Sequence, residues 1–547
     1  MTIHERAGQQ ATQQDLVHIP ALMAAYYVNE PDPRDPQQKV SFGTSGHRGS
    51  SLKKSFNEAH ILAVCQAICG YREEQGIKGP LLLGKDTHAL SEAAFITALE
   101  VFIANGITVH VQQDLGYTPT PVISHQILKW NKEHPNQLAD GVVITPSHNP
   151  PADGGIKYNP SHGGPADSKE TRVIEKYANA IMSSGLSGVN AVDYDEALHA
   201  KKLKRCDWVA SYVNALADVV DIEAIRKAKV RIGVNAMGGA GIEYWRAIAE
   251  HYELDISLIN DHVDPTFSFM SLDKDGQIRM DCSSPFAMSS MVALKDSFDL
   301  AIGNDPDYDR HGIVTQDGLM NPNHYLAVSI DYLLSHRNWG QKAKVGKTIV
   351  SSAIIDRVVA ARESQLFETP VGFKWFAEGM FAGEIGFAGE ESAGASFLDF
   401  SGQPFSTDKD GIILGLLAAE ILAVTGKSPS QYYQELEQQH GTAFYKRLDV
   451  KASHEDMESF KELAHKPFKL TNLADEPVEN VLTTAPGNGA TFGGVKVVTA
   501  NGWFAVRPSG TEPVYKIYAE SLKSEAHLEQ ILSEASQTVI EWLARQA

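Results

Sequence analysis

Short apolar runs that break into glycine-bearing polar loops recur along this chain, each followed by a helical pattern. Leu81-Leu82-Leu83-Gly84-Lys85-Asp86, Val230-Arg231-Ile232-Gly233-Val234-Asn235 and Thr348-Ile349-Val350-Ser351-Ser352 are three such places. Apolar runs of this length suit strands covered on both faces, and strands alternating with helices imply α/β layers with mixed, mostly parallel sheets. The repetition predicts three related α/β domains, and 547 residues leave room for a fourth unit.

Sheets of this kind gather their ligands at the C-terminal ends of the strands. Gly141-Val142-Val143-Ile144 is one such strand, and it runs into Thr145-Pro146-Ser147-His148-Asn149-Pro150. Pro146 and Pro150 stiffen the backbone on either side of Ser147 and keep a helix from starting at once. A loop of that composition is suited to holding one hydroxyl still.

Gly303-Asn304-Asp305-Pro306-Asp307-Tyr308-Asp309-Arg310 carries a different chemistry. In an extended chain the alternation turns the carboxylates of Asp305, Asp307 and Asp309 to one side. Three like charges gathered there call for a cation, and an all-oxygen set favours a hard one such as Mg²⁺. A calcium EF-hand does not fit, because Arg310 stands where that loop needs glycine and Gln316 where it needs glutamate. With three protein ligands, a bound ion keeps room for a phosphate oxygen.

Arg507-Pro508-Ser509-Gly510-Thr511-Glu512-Pro513 lies between two strand-like runs. A glycine turn can aim backbone N–H groups at an anion, Arg507 adds a fork matched to phosphate, and Ser509 and Thr511 add hydroxyls. Gly389-Glu390-Glu391-Ser392-Ala393-Gly394 sets acids and a hydroxyl between glycines, a composition suited to vicinal hydroxyls of a sugar.

Taken as a set, these four motifs, in this order and over nearly the whole chain, resemble the α-D-phosphohexomutase superfamily and within it the bacterial phosphoglucomutases. The resemblance implies reversible interconversion of glucose 1-phosphate and glucose 6-phosphate through a phosphoserine enzyme, with glucose 1,6-bisphosphate as intermediate and activator. It implies a smaller C-terminal α+β domain after the three α/β domains, all around a central cleft. The expected divisions are a leader over 1–40, α/β domains over 41–203, 204–324 and 325–440, and the last unit over 441–547.

The resemblance also assigns roles. Ser147 matches the phosphorylated serine; Asp305, Asp307 and Asp309 match the Mg²⁺ ligands, with the phosphate on Ser147 supplying a further oxygen. Glu390 and Ser392 match the readers of sugar hydroxyls, and Arg507, Ser509, Gly510 and Thr511 match the grip on the phosphate that is not transferred. Phe42 to Gly49 matches a loop that places Arg48 near the serine phosphate. Gly155-Ile156-Lys157 matches a loop whose lysine is the candidate general acid/base, provided cationic neighbours lower its pKa. His148 is the rival base, set back because adjacent residues of an extended chain point apart. Val371 to Lys374 matches a further substrate-facing loop. Ala393 replaces an aromatic residue of some eukaryotic members, which leaves mannose and glucosamine phosphates as alternative substrates. A sugar phosphatase and an inactive sugar-phosphate-binding protein are more distant readings.

The formal net charge of −20 argues against nucleic acid as the main partner. A hexose phosphate remains compatible, since a cleft focuses local charge, and Arg48, Lys85, Lys157, Arg310, Lys374 and Arg507 are candidates to line it. The run Lys201-Lys202-Leu203-Lys204-Arg205 reads as a solvated linker. No apolar stretch reaches transmembrane length, and Met1 to Gln14 lacks the apolar core of a signal peptide. Cys65, Cys69, Cys206 and Cys282 form no CxxC pair; Cys65 and Cys69 share a helix face, core packing explains them, and a reducing cytoplasm is expected. No heptad pattern marks a dimer face, so monomer and homodimer both stand.

Overall fold

The computed structural model describes residues 3–43, 46–339, 343–509 and 514–545. Its first sheet has seven strands in the order Phe42–Gly43, Gly46–Gly49, Gly154–Asn159, Asp140–Ile144, Leu81–Lys85, Val109–Gln112, Leu203–Cys206. Asp140–Ile144 and Leu81–Lys85 are buried at every position, as their unbroken apolar character requires. They run parallel, and antiparallel strands extend the sheet on the Gly154–Asn159 side.

The second sheet, Gly318–Leu319, Gly312–Thr315, Leu300–Gly303, Ile232–Asn235, Ile256–Ile259, has the same plan, as does the third, Leu366–Thr369, Lys344–Thr348, Ile385–Glu390, Gly394–Phe397. In all three, one strand is parallel to its neighbour on one side and antiparallel to the next strand of the chain on the other. The connection at that hand-over carries the Ser147 motif in the first unit, the aspartate motif in the second and Glu390-Glu391-Ser392 in the third. The repeated position is why three motifs far apart in sequence can face one centre. The fourth unit differs: Phe444–Lys451, Val514–Ser521, Gly502–Pro508, Thr491–Val498 and Asn480–Thr484 form an antiparallel sheet with the helix Glu525–Ala544 packed on it.

The first three units are not separate bodies. One apolar core runs from Leu82, Val122 and Ile123 through Trp245 and Ile302 to Leu326 and the helix Gly411–Thr425. From Gly411 to Ile421 that helix is buried and apolar except for Glu420, which pairs with Arg337. With Pro429–His440 it makes a pair bent by 74°, and no single helix among the described residues is long and apolar enough to cross a membrane. The fourth unit docks on the third through Glu520, whose carboxylate accepts from Ser352 Oγ, from the Ala353 N–H at 2.7 Å and from Trp503 Nε1 at 2.8 Å.

Two sequence expectations need correction. Residues 3–40, expected as a leader with a short helix, do carry that helix but pack into the first two units. The helix Ile19–Val28 buries Leu22 and Tyr26 in the first core, and the stretch ahead of it pairs with the second unit: the Gly8 N–H donates to Leu272 O at 2.8 Å, the Leu272 N–H to Gln9 O at 2.9 Å and the Ala11 N–H to Met270 O at 3.1 Å. The basic run is not a linker. Leu203–Cys206 is the edge strand of the first sheet, and its exposed Lys204 and Arg205 keep that edge from recruiting another strand. The sheet therefore continues to Cys206, just past the expected division at 203. Cys65 and Cys69 share the buried face of the helix Glu58–Glu74, as read.

Candidate functional site

Ser147 sits one turn beyond the end of Asp140–Ile144, and its backbone is left-handed, φ 59°. That conformation is unfavourable for a residue with a Cβ and marks a site where surroundings dictate geometry. Thr145 Oγ1 accepts the Ser147 N–H at 2.8 Å and fixes the turn. The chain is thus not extended here, which overturns the argument that set His148 aside: His148 Nδ1 lies 3.3 Å from Ser147 Oγ. Burial and then the nearby Arg310 guanidinium hold the His148 imidazole well below its usual pKa, which favours the neutral ring.

The aspartate loop is likewise a turn and not an extended strand. Tyr308 is left-handed, φ 62°, and its N–H donates to Asp305 O at 2.9 Å. The Tyr308 ring packs so close to Gly241 that a Cβ there would lie 2.2 Å from it. Asn304 ties the loop shut, donating to Arg310 O at 3.0 Å and accepting from Trp245 Nε1 at 3.0 Å. The turn still delivers what the alternation promised: Asp305, Asp307 and Asp309 are buried with ligand atoms within 4.8 Å of one another.

The set fits a hard divalent cation. Asp307 Oδ1 and Asp309 Oδ1 are buried and accept no hydrogen bond among the described residues. Burial, and after it the charges of Asp307 and Asp309, push the Asp305 carboxyl far up, the response of carboxylates short of compensating charge. Ser147 Oγ donates to Asp305 Oδ2 at 2.7 Å, joining the first and second motifs directly.

Cations from other units close in. Lys157 lies on a strand, Gly154–Asn159, not in a loop; its Nζ is 2.6 Å from Asp307 Oδ2 and 3.0 Å from Asp309 Oδ2. Burial works to lower its pKa, but those two carboxylates outweigh it and raise the amine above its usual value. The expected lowering is therefore reversed, because its nearest neighbours are anions. Burial also opposes charge on Asp309, yet Lys157, Lys409 and Arg310 together hold that carboxyl well below the ordinary range. Arg310 donates its backbone N–H to Asp305 Oδ1 at 3.0 Å and sets its guanidinium 3.9 Å from Asp309 and 4.0 Å from Asp281. Arg48 Nη1 donates to Asn149 Oδ1 at 3.1 Å, on the Ser147 loop.

Lys409 and Thr120 were not anticipated. Thr120 Oγ1 donates to Asp307 Oδ2 at 2.8 Å, and its N–H to Asp307 O at 2.9 Å. Lys409 Nζ stands 3.4 Å from Asp309 and 3.3 Å from Asp408. Its loop is gripped by two other units. Ser124 Oγ accepts from the N–H groups of Thr407 and Asp408 at 2.9 and 3.2 Å, His125 Nδ1 donates to Phe405 O at 2.8 Å, and Tyr212 Oη donates to both oxygens of Asp410 at 2.9 and 2.8 Å. Asp410 also caps the helix Gly411–Thr425, and burial pushes its carboxyl up to about 6. The run Asp408-Lys409-Asp410-Gly411 before an apolar helix was the available signal.

Glu390 ends the strand Ile385–Glu390 and is buried; its Oε1 accepts the Gly372 N–H at 2.9 Å. Burial raises its carboxyl, opposed by Lys409. Ser392 is half-buried in the turn after it. Lys374 opens the helix Lys374–Phe381, donates to Ser168 Oγ at 2.5 Å, and lines one cavity with Lys157, Lys409 and Asp408. Lys85 lies elsewhere: it is buried against Glu92 at 2.6 Å and over the Phe95 ring, inside the first unit. Arg507 ends the strand Gly502–Pro508 beside Tyr518, with Arg447 and Glu391 near the same ring. The Ser509 N–H donates to Val514 O at 2.8 Å across the base of the turn. Gly510 and Thr511 lie outside the described residues, as do Thr44 and Ser45.

Four family profiles match the chain in order. They are phosphoglucomutase/phosphomannomutase alpha/beta/alpha domains I, II and III over residues 39–184, 210–318 and 321–440, and the C-terminal domain of the same family over 466–537. A phosphoglucomutase of Komagataeibacter xylinus is 55% identical over 543 residues, covering 99% of this chain and 98% of the relative. A phosphoglucomutase/phosphomannomutase of Thermococcus kodakarensis is 25% identical, with 88% and 95% covered. Among solved structures, the open form of parafusin, a phosphoglucomutase of Paramecium, aligns with a TM-score of 0.74 at 22% identity over 95% of this chain and 96% of that one. At that identity the likeness speaks for the fold.

Proposed function

The chain belongs to the phosphoglucomutase/phosphomannomutase family over nearly its whole length, and on that footing we propose that it interconverts glucose 1-phosphate and glucose 6-phosphate with Ser147 as the phosphoryl carrier. One observation carries the assignment: Ser147 Oγ, on a strained turn at a strand end, reaches Asp305 Oδ2 at 2.7 Å. The nucleophile and the acidic cluster thus form one site.

Phosphorus leaves Ser147 Oγ for O6 of glucose 1-phosphate, giving glucose 1,6-bisphosphate and a free serine hydroxyl. The bisphosphate turns over, its C1 phosphoryl returns to Ser147 Oγ, and glucose 6-phosphate leaves. Asp305, Asp307 and Asp309 would hold Mg²⁺, which offsets charge on the transferring phosphoryl group. Arg48 and Arg310 flank the Ser147 loop and add fixed positive charge. The proton of O6 is taken by His148 or Lys157 and handed on to the departing Ser147 Oγ, which leaves the serine as its hydroxyl. His148, its basicity lowered by burial, lies within reach of Ser147 Oγ, whereas Lys157 is held as an ammonium by two carboxylates and must lose both that pairing and its proton before it can act as a base.

Glu390, backed by the Gly372 N–H and close to Lys409, is the reader of sugar hydroxyls, with Ser392 beside it. Lys374 and Lys409 line a small cavity beside Lys157 and would bring positive charge toward the sugar phosphate. Arg507 and Ser509, with Gly510 and Thr511, are assigned to the distal phosphate. Cys65, Cys69, Cys206 and Cys282 are all free thiols, which suits the cytoplasm.

The test assays glucose 1-phosphate and mannose 1-phosphate with Mg²⁺ and trace bisphosphate, following 6-phosphate product and free phosphate. The reading requires glucose preference without phosphate release, and no turnover in Ser147→Ala. Dominant phosphate release would move the protein to a hydrolase.

A further inference from the structure

Beneath the Ser147 loop lies a buried charged pair that the reaction above does not use. Asp86 and His88 follow the strand Leu81–Lys85, next to the strand that leads to Thr145. Asp86 Oδ2 accepts from Thr145 Oγ1 at 2.7 Å, and Thr145 Oγ1 accepts the Ser147 N–H at 2.8 Å. His88 Nδ1 is 2.8 Å from Asp86 Oδ2, and His88 Nε2 is 3.0 Å from Asn149 O. A carboxylate and a carbonyl can only accept, so both ring nitrogens donate, and only the imidazolium does that.

Both side chains are fully buried. The ring is faced by Asp86, by Asp153 at longer range and by the Phe267 ring 5.0 Å away, while Ser91 Oγ donates to Asp86 Oδ1 at 2.5 Å. Burial would strip the ring of its proton; Asp86 first, then the Asn149 carbonyl and Asp153, more than offset it and raise the pKa.

The two supports fall on opposite sides of Ser147, through Thr145 before it and Asn149 after it. A non-glycine residue at φ 59° is strained and persists only where the surrounding structure imposes that state. We propose that the Asp86–His88 ion pair is the positioning element that holds the Ser147 loop in its strained turn and keeps Oγ aimed at Asp305, an inference that rests on Ser147 being the phosphoryl carrier. Asp86 fixes the turn through Thr145, and His88 fixes its far end through the Asn149 carbonyl. The pair touches no substrate; it acts through the loop.

Two measurements test this. In ¹⁵N-histidine-labelled wild-type protein at about pH 8, above the ordinary histidine value of ~6.5, both His88 ring nitrogens should still carry protons. His88→Gln has no charge and offers its donors from one nitrogen; it should lower kcat on the order of 100-fold with KM within about threefold, the signature of a misplaced reacting group. His88→Arg keeps the charge and several donors and should recover at least about tenfold of that loss. A neutral His88 ring at that pH, wild-type kcat in His88→Gln, or equal losses in Gln and Arg would each overturn the proposal. If His88→Gln fails to fold, the ring protonation and the Arg variant decide. Turnover in Ser147→Ala would instead bring down the phosphoserine reading, and it is separable because ring protonation is measured without turnover.

Discussion

Lys157 Nζ lies 2.6 Å from Asp307 Oδ2, so the amine expected to move a proton is ion-paired with a carboxylate expected to hold the cation. The two demands on Asp307 compete. Removing the ammonium charge with Lys157→Met should tighten Mg²⁺ binding, read by calorimetry, while kcat falls about 100-fold, the usual reach of a general acid/base. Unchanged Mg²⁺ affinity would show that the pairing does not compete with the ion.

Thr120 contributes to the second unit's acidic loop from the first unit. Thr120→Val keeps the shape but takes from Asp307 Oδ2 one of its two hydrogen bonds, worth about 1.5–3 kcal/mol for a bond to a charged group, while Lys157 keeps the other. The expected result is a lower melting temperature and a higher Mg²⁺ concentration for half-maximal activity. Loss of stability alone, with the Mg²⁺ requirement untouched, would confine Thr120 to packing.

Lys409 lines the cavity, and Glu390, in the same third unit, feels its charge. Lys409→Met should raise KM for glucose 1-phosphate about tenfold or more, the scale of losing a charged hydrogen-bond donor. Glu390→Gln should narrow the gap in kcat/KM between glucose and mannose 1-phosphates. A discrimination ratio that stays fixed in Glu390→Gln would assign sugar choice to other residues.

Asp410 gives the stability a pH dependence. Its folded carboxyl is raised by burial to about 6 from 3.8, so the native state binds the proton more tightly than the unfolded chain. Its contribution is therefore present at low pH and is lost as pH rises from about 4 to 6, by roughly 3 kcal/mol. Asp410→Asn can still accept from Tyr212 and from the helix N–H groups but carries no charge to desolvate. Its melting temperature relative to wild type should climb between pH 4 and 7; a constant difference would refute the buried-carboxyl account.

The parts of the site that one segment builds alone were legible. Gly141 to Pro150 announces a strand and a stiff hydroxyl loop, and Asp305 to Asp309 announces an oxygen cage, because each is a local pattern. Thr120, Lys409 and His88 were not, since each matters only where a remote segment meets the loop; Ser124 and Thr407, which place Lys409, are 283 residues apart. His148 was misjudged because period-two reasoning assumes an extended chain, and Ser147 is left-handed. Lys85 was misplaced because a fully buried strand has no polar face to show which way its amine turns; it turned onto Glu92 and Phe95. The fold class was legible for the converse reason: unbroken apolar strands between helices admit few architectures.

The pairing of residues 8–11 with 270–272 sets an order of events. On the ribosome residues 8–11 emerge well before their partners at 270–272, which are made some 260 residues later. The helix Ile19–Val28 can settle early in the first core, but the stretch ahead of it must wait, unpaired, until the second unit takes shape. Synthesis from the amino end therefore does not translate into strict unit-by-unit completion: residues 8–11 find their place only after a segment made long after them.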